Sequence, residues 1–135
     1  HAAYLIPQLK KYKYIINKRK KLYEIYLKRL EHLNNKNFFI IKKNNYKYNY
    51  HAIVITFKKK INLKKFLNYL KRNKINAYIC YFPLHASKFG KKFKKEKLPN
   101  TNHIFKNSIR LPLNFYLNSK NINYVCDKLI NYFMH

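Results

Sequence analysis

The sequence predicts an α/β fold, with helices laid against a small mixed sheet and one long helix at the N-terminus. Short runs of β-branched and aromatic residues, of which His51-Ala52-Ile53-Val54-Ile55-Thr56-Phe57 is the clearest, alternate with amphipathic stretches. That alternation is the signature of strands and helices packed in layers. Residues 2–33 repeat their apolar side chains at helical spacing. The length of 135 residues is one domain's worth, and 47% hydrophobic residues suffice for a core.

Each element has a local reason. From Ala2 to Leu33 the stripe is Leu5, Leu9, Tyr12, Ile16, Tyr23, Leu27 and Leu30, with lysines between. Pro7 suits the first turn of a helix and kinks one already running. Asn34 to Asn37 ends the element with turn-forming residues. Phe38 to Ile41 is a short strand, and Lys42 to Asn49 a polar, tyrosine-bearing loop. His51 to Phe57 is the central strand. Asn62 caps a helix whose inward positions are Leu63, Phe66, Leu67 and Leu70. Asn76 to Phe82 is a strand that Pro83 stops.

Lys88 to Asn100 reads as a basic loop around Gly90, the one glycine of the chain. A short helix is predicted over Thr101 to Ser108, with Ile104 and Phe105 inward. Ile109 to Leu113 is the last strand. Asn118 or Ser119 caps a final helix with the stripe Ile122, Val125, Leu129, Ile130 and Phe133. The order is therefore long helix, strand, strand, helix, strand, helix, strand, helix. One domain is expected over 1–135, with the long helix at 1–33 and a small α/β unit at 38–135.

The net charge of +27 comes from 31 Lys+Arg against 4 Asp+Glu. A field of that size attracts polyanions whatever the fold, so a small basic nucleic-acid-binding protein is one reading. The other is codon drift, since Lys, Asn, Ile, Tyr and Phe are all served by A/T-rich codons. Nucleic-acid readers favour the planar fork of Arg, whereas the charge here is nearly all Lys. Drift is the preferred account, leaving nucleic acid a non-specific partner, and a relic without selected activity is its extreme form. No apolar run approaches the ~20 residues a bilayer requires. His1 to Pro7 has no basic region ahead of its apolar stretch, so no signal peptide is expected. Position 1 is not Met, and the frame is expected to start inside something longer. Cys80 and Cys126 have no metal spacing and are expected as buried reduced thiols. A cytoplasmic protein fits.

A self-sufficient active site requires a recognisable constellation. Glu24, Glu31, Glu96 and Asp127 form no evident carboxylate pair, one glycine cannot build a phosphate cradle, and the histidines lack metal-ligand spacing. No catalytic, cofactor-binding or metal-ligating residue is assigned. His85, just beyond a strand end, is placed to hydrogen-bond a ligand phosphate or sugar hydroxyl, or else is a loop histidine bonded to backbone. Tyr81 is placed to share that pocket, or to face the core. His51 heads the central strand and points to the same edge, unless it is a satisfied core histidine. Lys88, Lys91 and Lys92 attract an anionic substrate or form a solvated charge run.

Four stretches carry a resemblance. Ala2-Ala3-Tyr4-Leu5 with Gln8-Leu9 looks like the start of a helix joining two domains. Asn49-Tyr50-His51 heads a hydrophobic strand. Lys74-Ile75-Asn76-Ala77 leads into Tyr81-Phe82-Pro83-Leu84-His85-Ala86-Ser87. Arg110-Leu111-Pro112-Leu113 then precedes a helix ending Asn131-Tyr132-Phe133. In this order they resemble the small C-terminal domain of the DegT/StrS sugar aminotransferases, over essentially the whole chain. The Pro-Leu-His-Ala-Ser form is most similar to the branch acting on TDP-4-keto-6-deoxyglucose at carbon 4. The resemblance implies a fold-type-I transferase that uses pyridoxal phosphate and works as a homodimer. It implies amination of a nucleotide-linked 4-keto-6-deoxy sugar with glutamate as donor, on the route to surface polysaccharides such as lipopolysaccharide. In that family the Schiff-base lysine, the pyridinium aspartate and the phosphate-binding groups lie in a large domain, expected to be absent from this chain. The fragment is therefore expected to be inactive alone, with His85, Tyr81 and His51 as substrate-side residues. The first helix, without that domain, is expected to expose its apolar stripe and promote self-association.

Overall fold

The computed structural model describes residues 2–34, 36–40, 48–93 and 97–134. Residues 41–47, within the predicted strand end and polar loop, residues 94–96 of the predicted basic loop, and Asn35, His1 and His135 lie outside the described residues.

The N-terminal segment is two helices, α1 (Ala2–Lys10) and α2 (Tyr12–Arg29), where the sequence predicts one. Helix α1 runs through Pro7, and the break comes one turn later, at Lys11. The Lys11 amide donates to the Gln8 carbonyl at 3.1 Å, a three-residue step that leaves the Pro7 carbonyl unclaimed by it. The second half ends at Arg29 instead of Leu33, and the turns that follow keep Leu30 and Leu33 in the core.

Strand β1 (Phe38–Ile40) is followed by β2 (Ile53–Phe57), whose register pairs Phe38 with Phe57 and Ile40 with Ile55. Helix α3 (Leu63–Arg72) starts where expected, with the Asn62 side chain accepting from the Lys65 amide at 3.0 Å. It ends in a Schellman motif: the Ile75 amide donates to Leu70 and the Lys74 amide to Lys71, each at 2.9 Å, with Lys74 at φ 58°. Strand β3 is only Tyr78–Ile79, shorter than predicted. Two single 3₁₀ turns, Leu84–Ala86 and Gly90–Lys92, lead to α4 (Pro99–Asn107). Ile104 of α4 is exposed, contrary to expectation, and Phe105 packs edge-on against Phe82 at 5.4 Å.

Strand β4 (Ser108–Leu111) enters the middle of the sheet, and α5 (Ser119–Met134) closes the chain. Helix α5 is capped reciprocally: Asn118 Oδ1 accepts from the Asn121 amide and Asn121 Oδ1 from the Asn118 amide, both at 3.0 Å.

The sheet order is β1-β2-β4-β3. All three pairings are antiparallel, which corrects the expected mixed sheet. The interior strands are β2 and β4, with Ile53, Ile55, Phe57, Ile109 and Leu111 buried on one face. Helices α2, α3 and α5 cover that face: Phe57 meets Phe66 at 5.3 Å and Phe133 at 5.9 Å, and α2 packs on α5. Arg29 and Asp127 make an ion pair between those two helices.

On the opposite face, Thr56 and Ser108 are buried and hydrogen-bonded through their hydroxyls at 2.8 Å, and α4 packs against β2. Two registers up, Val54, Arg110 and Tyr78 form a row across β2, β4 and β3. That end of the face is open. No helix among the described residues is long and apolar enough to cross a membrane.

Candidate functional site

The open end of the sheet holds a cavity of about 330 Å³. Its walls come from the start of β2 (His51, Ala52), from Asn76 and Tyr78 at β3, and from Arg110 and the residues up to Asn114 at the exit of β4.

Local hydrogen bonds fix the β2 side. Tyr50 takes a left-handed conformation (φ 48°), turning the chain into the strand. The Tyr48 hydroxyl donates to the Ala52 carbonyl at 2.6 Å. Asn49 Oδ1 accepts from His51 Nδ1 at 2.8 Å and from its amide at 3.3 Å. With Nδ1 donating to Asn49, the Nε2 of His51 is left for another partner. On the β4 side, Tyr26 of α2 donates to the Pro112 carbonyl at 2.9 Å. Burial pushes the Tyr26 hydroxyl well above its ordinary pKa, so it stays a donor. Asn114 Oδ1 accepts from the Tyr116 amide at 2.9 Å, leaving the amide nitrogen of that side chain for other partners.

Arg110 projects between these walls. Its guanidinium lies over the ring of Tyr81, 4.2 Å from the centroid, and its buried Nε has no hydrogen-bond partner. The sequence placed Tyr81 beside His85, and the structure sets it against Arg110 instead, a residue the sequence reading did not single out as a site residue. The signal was present in Ser108-Ile109-Arg110-Leu111, where alternation sends Ile109 and Leu111 to one face and the arginine to the other.

The three predicted residues do not converge. His51 lines the cavity and is exposed. Tyr81 joins it through Arg110 and is 79% exposed, so it does not face the core. His85 belongs to a separate construction. Its Nε2 donates to Asn102 Oδ1 of α4 at 3.1 Å, leaving Nδ1 as its acceptor. The loop that carries it is tight. Ser87 Oγ donates to the Leu84 carbonyl at 2.7 Å and accepts from the Gly90 amide at 2.9 Å. Lys88, Lys91 and Lys92 of this loop are exposed. Cys126 is buried as expected, while Cys80 is only half-buried; both are free thiols.

The cavity does not fit pyridoxal phosphate. That group requires a lysine for its aldehyde and a carboxylate for its ring nitrogen, and neither lines these walls. Asp127, the only aspartate of the chain, is engaged by Arg29 on the helical layer.

Apolar surface flanks the cavity and the N-terminus. Tyr78, Tyr81, Phe82, Leu84, Phe89 and Phe93 are exposed around β3 and the following turns, Leu84 by 84%. Leu5, Leu9 and Tyr12 of the predicted stripe are exposed, with Tyr4 (80%) and Ile6 beside them, whereas Tyr23 and Leu30 of the same stripe are buried in the core. Surface of this kind marks an interaction face.

Comparison with known proteins gives a consistent result. A model of the DegT/DnrJ/EryC1/StrS aminotransferase family matches residues 1–130. An uncharacterized protein of Methanocaldococcus jannaschii, MJ1066, is 30% identical over 113 residues, covering 80% of this chain and 29% of the relative. Among solved structures, Helicobacter pylori PseC, an aminotransferase involved in the biosynthesis of pseudoaminic acid, superposes with a TM-score of 0.80. It shares 21% identity over 93% of this chain and 34% of its own. S. venezuelae DesV, solved with a ketimine intermediate, gives 0.84 at 18% identity, over 97% of this chain and 35% of its own. Streptococcus pneumoniae Spr1654, a putative sugar aminotransferase, gives 0.77 at 19% identity, over 91% of this chain and 32% of its own. This chain thus spans about a third of the length of the proteins it matches, and its fold is that of the matched part.

Proposed function

The chain belongs to the DegT/DnrJ/EryC1/StrS aminotransferase family, and from that premise we propose that it is the C-terminal, substrate-side part of a sugar-nucleotide transaminase. The observation that carries the proposal is a cavity with polar side chains set beside unpartnered apolar surface around β3, together with a second exposed apolar surface on α1. Such a half-site acts when a second segment, bearing the cofactor, covers that surface. Pyridoxal phosphate, held by that segment, supplies the amino-transfer chemistry. No step of it is assigned to residues of this chain.

The substrate is a nucleotide-linked 4-keto-6-deoxy sugar of the TDP type, glutamate is the amino donor, and the product serves surface polysaccharide synthesis. The intact enzyme is a homodimer in the cytoplasm. His85, with Nδ1 as acceptor, is matched to a sugar hydroxyl, and exposed Tyr81 to the sugar's edge. His51 serves the same substrate from the other side of the sheet end.

The test joins this chain to the corresponding cofactor-bearing part of a family member and measures amino transfer from glutamate to TDP-4-keto-6-deoxyglucose. The joined protein turns over and this chain alone does not. A folded, cofactor-loaded fusion that aminates no nucleotide-linked keto sugar would overturn the proposal.

A further inference from the structure

We propose that Arg110 is the centre of an oxyanion-binding site, taking a carboxylate or phosphate group into the cavity at the open end of the sheet. Three observations support it. First, Arg110 sits mid-row between Val54 and Tyr78 on the face turned away from α2, α3 and α5, so its charge serves no purpose in the core those helices cover. Second, Arg110 is half-buried and has no counterion among the described residues. Among the described residues no hydrogen bond or ion pair reaches it, and its Nε is sealed without a partner. Third, the walls around it hold His51, Asn76 and Asn114 and no carboxylate.

The charge balance sharpens this. Acidic side chains are few, and the described ones are elsewhere: Asp127 pairs with Arg29, Glu24 with Lys20 at 3.9 Å, and Glu31 stands exposed just past α2. Stacking on Tyr81 gives Arg110 a cation–π contact. It leaves the in-plane donors of the fork unused. An unpaired donor out of water is costly, and a planar fork matches two oxygens of a carboxylate or phosphate. The exposed Tyr81 ring then acts as a platform that orients the fork.

The site itself stands on this geometry. The source of the oxyanion rests on the transaminase reading, which offers two: the carboxylates of the amino donor and the phosphates of the nucleotide.

The experiment follows the Arg110 Nε–Hε resonance of the ¹⁵N-labelled full chain, assigned by its loss in Arg110→Lys. Inorganic phosphate, pyrophosphate and glutamate are titrated in turn at constant ionic strength held with chloride. The resonance shifts saturably with at least one probe, while those of Arg29 and Arg72 do not. Saturation by glutamate alone identifies the amino-donor side, and saturation by phosphate or pyrophosphate the nucleotide side. Arg110→Lys keeps charge and bulk but loses the fork, and weakens binding by roughly tenfold, one charge-assisted hydrogen bond's worth, read from the side-chain amide of Asn114 in the same wall. Lys120→Gln, on the exposed start of α5, leaves it unchanged. An Arg110 resonance that is unmoved, or that drifts linearly with every anion, overturns the site. Saturable binding in a joined enzyme that fails to transfer amino groups would retain the site and reject the transaminase reading.

Discussion

Tyr26 and Pro112, 86 residues apart in the chain, are joined by a hydrogen bond of 2.9 Å from the tyrosine hydroxyl to the proline carbonyl. This contact anchors the exit of β4, where the cavity wall begins, to the helical layer behind the sheet. Proline interrupts strand pairing there, and its carbonyl is satisfied by a fully buried side chain. Tyr26→Phe keeps the ring and removes the bond. The expected loss is about 1 kcal/mol, read as a lower urea midpoint with an unchanged slope. A variant as stable as the parent would show that the hydroxyl contributes nothing.

Gly90 is required by a close backbone approach. A Cβ built there falls 1.8 Å from the Leu84 carbonyl oxygen and 2.7 Å from its carbon. Both atoms are backbone, so the turn must open. Gly90→Ala is expected to lower stability by about 1–3 kcal/mol, as overpacking does, and to break the His85–Asn102 bond. Faster amide exchange through residues 84–92, with α3 unaffected, is the signature to look for. An unchanged loop would contradict the geometry.

Lys74 closes α3 in the left-handed region, where a side chain is strained and glycine is not. Lys74→Gly is therefore expected to stabilise the fold by roughly 0.5–1 kcal/mol. Thermal unfolding measures it, and a fall in Tm would refute it.

Burial pushes the Cys126 thiol up to about 12, and the nearby Asp127 adds to the shift against the opposing charge of Arg29. The folded chain holds this proton where the unfolded chain, with an ordinary thiol near 9, releases it. Stability from this group is thus complete below pH 9 and declines as pH rises toward 12. Cys126→Ala should flatten that decline. At pH 8 a thiol reagent should modify half-buried Cys80 and spare Cys126 until unfolding. Equal rates at the two thiols would contradict this burial.

The elements that the sequence foretold are those with local causes. Asn62 and Asn118 cap helices because a side-chain oxygen reaches an amide three residues on, which spacing alone reveals. The run Ile53 to Phe57 is a strand by its own composition. What escaped depends on distant partners. Strand direction is decided by how β4 threads between β2 and β3, so the antiparallel sheet was not legible. The break at Lys11 lies one turn past Pro7 and has no mark of its own. Arg110 was legible by alternation, yet its lack of a counterion emerges only once the few carboxylates are located. His85 was seen, but its bond to Asn102 joins residues 17 apart through a helix whose facing was misjudged at Ile104.

The central claim is that this chain supplies substrate-side surface and no cofactor lysine. It is tested most directly by incubating the full chain with pyridoxal phosphate, reducing with borohydride and mapping pyridoxyl-lysine by peptide mass. The account predicts labels scattered at low occupancy over the many exposed lysines, with none saturating. A single lysine labelled to one equivalent at low cofactor concentration would contradict it and place the cofactor site within this chain.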